Sequence, residues 1–267
     1  MFIKALYRYF TLSIVFISIG CSTHLTHDRA YVSDSISKRT GHNLASVETK
    51  DEVNLPDNVS LSDGLTEDEA VATALWNNAR FQAALTELGF SRADLIEAGM
   101  LNNPVFTMLL PTGPKQMEAF ILLSIESLWQ RPYRLSAAKL SAERVAENLV
   151  QNGLTLVRDV MIAYTNLTFA LEYEAILKEE ETLNSELLTI AQARLRAGDI
   201  SELEEAAFQL EVARTERALV NNTRDAALLD AELKMLLGLG QEENTLTLSP
   251  DQIDVDRVFN LEELLIS

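Results

Sequence analysis

The chain has 267 residues, 47% hydrophobic but only 7% aromatic, with 10 Gly and 6 Pro. Leu, Ala and Glu dominate, a composition that suits long helices. The net charge of −18, from 22 basic and 40 acidic side chains, repels phosphate backbones and argues against nucleic acid as a partner.

Residues 1–20 read as a signal peptide. Lys4 and Arg8 precede the apolar run Phe10–Gly20, which is too short to cross a bilayer comfortably as a helix. The run ends at Cys21, the only cysteine, which can form no internal disulfide. "SIGC", Ser18–Cys21, resembles a bacterial lipobox, where cleavage leaves a lipidated Cys at the new N terminus. Gly20 fits that pattern and Ser18 departs from its usual Leu. Cys21 is therefore the expected lipid-attachment site. A plain signal peptide or an uncleaved anchor with an incidental Cys is the alternative. Residues 21–60 are polar and poorly periodic, and read as an extended linker. His24, His27 and His42 all fall there and read as solvated side chains rather than metal ligands.

Ordered structure is expected from Leu65. Thr66 and Glu69 fit a capping box, which starts a helix running to about Trp76. A second helix is expected over Ala79–Met100, with Phe81, Leu85, Leu88, Leu95 and Ile96 as its apolar positions. Pro104, Pro111 and Pro114 then exclude a helix interior. Val105–Leu110 and Ala119–Trp129 read as strands around "PTGPK". Ile121, Leu123 and Ile125 alternate with Leu122, Ser124 and Glu126, which fits one lipid-facing and one wetter side. Trp129 and Tyr133 suit a membrane interface. A soluble hairpin fits this stretch equally well.

From Leu135 to Leu195 the chain has no Pro and a single Gly. Leu156, Val160, Ala163, Leu167 and Ala170 recur at helical spacing. A helix of this length extends roughly 90 Å at 1.5 Å per residue. Gly198 is a natural left-handed terminator. Ser201 and Glu204 form a second capping box, and the return helix 201–237 would extend about 55 Å. Its expected inward stripe is Leu203, Ala206, Leu210, Ala213, Val220, Ala227 and Ala231. The helix Ala79–Met100, about 33 Å long, makes up the shortfall of the return helix. The lengths predict a rod with the strands at one end and "RAGDIS" at the other.

These features resemble the TolC-like outer membrane efflux proteins. The resemblance lies in "LTEDEAVATALWNNARFQAA", "LIEAGMLNNPVF", "QRPYRLSAAKLSAERVAEN" and "ARLRAGDISELEEAAFQLEVARTERA". The most specific part is Arg194–Leu–Arg196–Ala–Gly198 followed by Ser201. The resemblance implies a mainly α fold with a β-hairpin. A long antiparallel coiled-coil hairpin would be joined to two strands of a transmembrane β-barrel, half of a protomer. It implies a trimer whose barrel continues into the periplasm as a helical barrel. It further implies that a tip bearing Arg194, Arg196, Gly198 and Ser201 meets a periplasmic adaptor (membrane fusion) protein, itself joined to an inner-membrane pump. Many members are lipoproteins anchored in outer membrane lipid, in keeping with Cys21. Family protomers contain two repeats. Here residues 61–258 read as one, and 259–267 as the start of a truncated second, because "FNLEELLIS" echoes "LTEDEAVAT". Three such chains would supply six strands instead of twelve, so the chain reads as the first half of a channel protomer.

No catalytic constellation is visible, and no phosphate- or dinucleotide-binding motif is present, so neither an enzyme nor a cofactor is expected. Glu179–Glu181 and Glu202, Glu204 and Glu205 read as solvated acidic faces. Closing the tip or binding cations is their functional alternative. Arg194 and Arg196 complement the helix dipole, worth about 0.3–1 kcal/mol each. Their functional expectation is donation to adaptor carbonyls or carboxylates. The expected function is a passive exit duct of a tripartite efflux or secretion system. The alternatives are a periplasmic coiled-coil scaffold lipoprotein and a non-functional fragment of a channel gene. The exported substrate is left open.

Overall fold

The computed structural model describes residues 26–44, 55, 59, 64–110, 118–240 and 245–249. The signal peptide, Cys21, His24, the loop "PTGPK" and Phe259–Ser267 lie outside the described residues. The elements in chain order are α1 (Arg29–Thr40), α2 (Glu67–Asn77), α3 (Ala79–Leu85), α4 (Glu87–Gly99), β1 (Val105–Leu109), β2 (Glu118–Leu122), α5 (Ile125–Ala197) and α6 (Glu202–Leu237). The fold is mainly helical, with one antiparallel pair of strands. The described residues divide into two compact units. One is drawn from Met1–Val32 and Leu85–Leu149, the other from Ser33–Ala84 and Val150–Ser267.

Helix α1 corrects the expectation of an extended linker over residues 21–60. Asp28 accepts from the Tyr31 amide at 3.1 Å and caps its start. Gly41, at φ 80°, ends it. Val32 and Ile36, one turn apart, are fully buried. Two buried residues in a mostly polar dozen are too faint a period to read in sequence, but they are enough to dock a short helix. Ile36 packs where Gly153 leaves room: a Cβ on Gly153 would stand 2.5 Å from Ile36 Cδ1 and 3.2 Å from Phe81 Cζ.

The capping box at α2 forms as expected, with Thr66 N donating to Glu69 at 2.9 Å and Glu69 N to Thr66 Oγ1 at 3.3 Å. The single helix expected over Ala79–Met100 is interrupted at Thr86. The break is small, since Thr86 keeps helical dihedrals and accepts from the Gly89 amide at 2.9 Å, a tight i to i+3 turn.

Two boundaries near the strands also differ. β2 ends at Leu122 rather than Trp129, and α5 begins at Ile125 rather than Leu135, which makes it 73 residues long. At 1.5 Å per residue that helix extends about 110 Å. Proline favours a helix start, yet Pro132 lies inside α5, where it cannot serve the Leu128 carbonyl. Arginines consolidate this stretch. Arg134 Nη2 donates to the Ser127 and Met100 carbonyls, both at 3.3 Å, and Arg131 Nε to Gly99 O at 2.8 Å.

In the second unit, Leu156, Val160, Ala163, Leu167 and Ala170 are buried, as their spacing predicts. The stripe expected to face inward on α6 is corrected. Leu203, Ala206, Leu210, Ala213, Val220, Ala227 and Ala231 are all exposed. The buried positions of α6 are instead Glu205, Thr215, Ala226, Asp230, Leu233, Lys234 and Leu237. This side is more polar, and it makes hydrogen bonds across to α5. Asn184 donates to Thr215 Oγ1 at 2.9 Å, and Asn222 to Ala170 O at 2.9 Å. Between Glu205 and Thr215 the buried positions of α6 are polar, and the larger apolar side chains Phe208 and Leu210 are exposed.

Helix α6 ends in a left-handed Gly238 at φ 75°, with Leu239 N donating to Lys234 O at 2.8 Å. Residues 245–249 return to the beginning of the repeat. Leu248 bridges Leu65 in parallel, with Leu65 N donating to Thr247 O at 2.8 Å and Ser249 N to Leu65 O at 2.9 Å. Tyr164 donates its hydroxyl to Leu65 O at 2.9 Å.

Candidate functional site

The turn between α5 and α6 is built by local chemistry. Asp199 N donates to Arg194 O and Gly198 N to Leu195 O, both at 2.9 Å. That pair is the Schellman arrangement, and it needs the positive φ of 80° that Gly198 supplies. The next helix starts at once. Ser201 N and Oγ donate to Glu204 Oε2 at 2.7 and 2.8 Å, and Glu204 N donates back to Ser201 Oγ at 3.3 Å. Arg194, Arg196, Gly198 and Ser201 are all exposed, at the end of the hairpin where the sequence put them.

The two arginines differ in occupation. Arg196 Nε donates to Gln192 O at 3.2 Å, so part of its guanidinium is bound within its own helix. Arg194 projects its field onto Glu204. Two residues apart on a helix, the side chains leave the axis about 200° apart and form no single cluster.

Hydrogen bonds from the Ser201 amide and hydroxyl hold the Glu204 carboxyl below its ordinary value, and the Arg194 charge adds to the effect. A lowered folded value means that this contribution is complete above the ordinary value of 4.5 and is lost as pH falls through the lowered one. Glu204→Gln should therefore flatten the acid limb of the helix-melting curve followed by circular dichroism. An unchanged acid limb would show that Glu204 does not titrate with the turn.

The acidic positions near the tip do different jobs. Glu204 caps, while the buried Glu205 accepts from Gln209 Nε2 at 2.7 Å. Glu180 accepts from Thr215 Oγ1 at 3.4 Å. Among the described residues no three His, Cys, Asp or Glu side chains group as metal ligands. His27 meets Tyr31 edge-on at 4.5 Å, and His42 Nε2 lies 3.6 Å from Asp68 Oδ1.

The strand pair, in the other unit, has a different character. Its register pairs Val105 with Leu122, Phe106 with Ile121, Thr107 with Phe120, Met108 with Ala119 and Leu109 with Glu118. Alternation puts Phe106, Met108, Ala119 and Ile121 on one side, which is wholly apolar. The other side carries Thr107 and Glu118 among apolar residues. Every residue of both strands is exposed. Trp129 and Tyr133, on the first turns of α5, are also exposed, at 79% and 72%. No helix among the described residues is long and apolar enough to cross a membrane.

Two solved structures share this architecture. One is a membrane protein from Pseudomonas aeruginosa, 18% identical, with a TM-score of 0.55 over 79% of this chain and 54% of that one. The other is the Campylobacter jejuni CmeC outer membrane channel, 15% identical, with a TM-score of 0.57 over 80% of this chain and 54% of that one. The fold is TolC-like. The chain spans about half the length of each structure it matches. No family model and no curated protein matches the sequence. Within the TolC-like frame the structure adds two features that the sequence reading missed. One is the polar layer Glu180–Asn184–Thr215 inside the hairpin, and the other is Leu203, 82% exposed beside the tip. The buried Thr215 gave no warning, because an isolated threonine in a helix is usually solvated.

Proposed function

We propose that the chain supplies part of an oligomeric exit duct in an outer membrane, through which small solutes leave passively, driven by an inner-membrane pump. The observation that carries this reading is the strand pair: it is exposed on both sides, apolar on one and mixed on the other, in a chain with the fold of an outer membrane channel. Such a pair buries its apolar side against lipid and its mixed side against a lumen once further strands complete a barrel. Trp129 and Tyr133 then sit at the membrane boundary. Lipid attachment at Cys21 would add a second hold on the same membrane, and the mass of the mature N-terminal peptide tests it.

The tip is the docking end for a periplasmic adaptor. Arg194 is exposed, while Arg196 is partly engaged with Gln192. Arg194→Ala should therefore weaken adaptor cross-linking more than Arg196→Ala, by about tenfold against about threefold for charge-assisted bonds. The measurement is site-specific cross-linking to the co-expressed adaptor. Equal, full cross-linking in both variants would remove the arginines from the contact.

A further inference from the structure

A cleft of about 590 Å³ lies where α3, the stretch of α5 around Leu156 and the last turn of α6 meet. All of its walls belong to the unit drawn from Ser33–Ala84 and Val150–Ser267. Two ties hold those walls in place. The Asn78 side chain accepts from the Phe81 amide at 3.0 Å and donates to Leu236 O at 2.9 Å, which fixes the start of α3 to the end of α6. Gly153 lets Phe81 close on α5, since a Cβ there would stand 3.2 Å from Phe81 Cζ. The small side chain of Ala84 leaves the space between the ties unfilled.

The floor of the cleft is apolar. Phe81 and Leu156 are buried there, and the exposed Met235 adds a flexible thioether that can fit an irregular occupant. The rim is polar, and its groups differ in occupation. Asp159 Oδ1 already accepts from Arg158 Nε at 3.1 Å and from Arg158 Nη2 at 2.7 Å. Among the described residues the side chains of Arg80 and Asn152 have no partner. Arg80 and Asp159 are the charged residues of the lining, so the charge left open at the rim is positive, in a chain whose net charge is −18.

An apolar hollow with a few converging polar groups is the usual form of a small-molecule site. The free charge selects an anion. A guanidinium at the edge of apolar surface holds a carboxylate more firmly than one in open water, because part of the pair is shielded from solvent. The volume sets the size. At the roughly 30 Å³ that a water-sized group occupies in a liquid, the cleft holds about twenty non-hydrogen atoms. One acyl chain with its carboxylate fits, and a two-chain phospholipid does not.

We propose that this cleft binds a soluble, single-chain anionic amphiphile. Its carboxylate meets Arg80, with the Asn152 amide donating beside it, and its apolar body lies on Phe81, Leu156 and Met235. The site is complete within one chain and does not depend on the duct proposed above.

The test is calorimetric titration of the full chain in lipid nanodiscs, corrected against empty discs. The probes are decanoate, decanol and decylammonium, which share one chain length and differ in charge. Decanoate should bind a single saturable site per chain, about tenfold more tightly than decanol, and decylammonium should bind more weakly than either. Arg80→Gln should weaken decanoate by about tenfold and leave decanol unchanged, a split that a merely structural arginine would not produce. Arg80→Lys should recover part of the loss. Arg80 is exposed, so both variants should fold. Ala84→Trp should fill the cleft and remove decanoate and decanol together. If it unfolds, Met235→Ala, at an exposed position, should weaken both probes alike. No saturable decanoate site, decanoate binding indifferent to Arg80→Gln, or decylammonium binding more tightly than decanoate overturns the proposal. Discs of phosphatidylcholine and of phosphatidylglycerol separate the sources of the anion. Equal decanoate binding in both supports a soluble occupant, and its loss in phosphatidylglycerol alone overturns that occupant in favour of a lipid headgroup.

Discussion

Gly238→Ala should cost about 3 kcal/mol of stability, the largest effect expected of a glycine-to-alanine change among the described residues. Gly238 closes α6 at φ 75°, where an L side chain is strained by about 1–2 kcal/mol. A Cβ there would also run into the carbonyl oxygen of Asn77 and stand 2.7 Å from its carbonyl carbon. Backbone cannot swing aside like a side-chain tip, so the end of α2 must move from α6. That adds a repacking cost of about 1–3 kcal/mol. Gly198 provides the control. It has φ 80°, but nothing lies within 4 Å of its would-be Cβ, so Gly198→Ala should cost only about 1–2 kcal/mol. Thermal melting of the two variants side by side checks the claim. Equal losses would mean that the contact with Asn77 is not felt.

Asp230→Ala should be comparably severe, about 3–5 kcal/mol. Asp230 and Lys234 pair at 2.7 Å, each with only 10% of its side chain exposed. Asp230 also accepts from the Leu246 amide at 2.9 Å. Removing it leaves a buried ammonium and a buried amide without their acceptor, and it loosens residues 245–249, which carry the bridge to Leu65. The Leu65 and Ser249 amides, which donate across that bridge, should exchange faster in the variant. Changing both partners, Asp230→Leu with Lys234→Met, removes the stranded charge and should recover much of the loss. If the double variant melts no higher than Asp230→Ala, the penalty lies elsewhere than in the unpaired lysine.

Much of this fold was legible where local chemistry decides structure. Both capping boxes, at Thr66 and Ser201, and the left-handed Gly198 follow from side chains satisfying nearby backbone groups, and they are present as read. The strand pair was legible from Pro104 and alternating apolar residues. Placement of Pro132 was not, because its acceptance inside α5 is accompanied by arginine bonds to Gly99, Met100 and Ser127 that no linear pattern announces. Helix α1 was missed because two buried residues carry it. The face of α6 was misread for an instructive reason. Its larger apolar side chains Leu203, Leu210 and Val220 are exposed, while Thr215 and Asn222 make hydrogen bonds across to α5. A rule that assigns the most apolar face to the intrachain core fails where polar side chains make the contact between helices. The candidate tip was legible in position, but the unequal occupation of Arg194 and Arg196 needed coordinates.

The proposed duct is a water-filled path through a membrane. Reconstitution of the purified full chain into a planar lipid bilayer measures this directly. Discrete, long-lived conductance steps that need no energy source are the expected result. A bilayer that stays electrically tight while the chain is demonstrably inserted would contradict it.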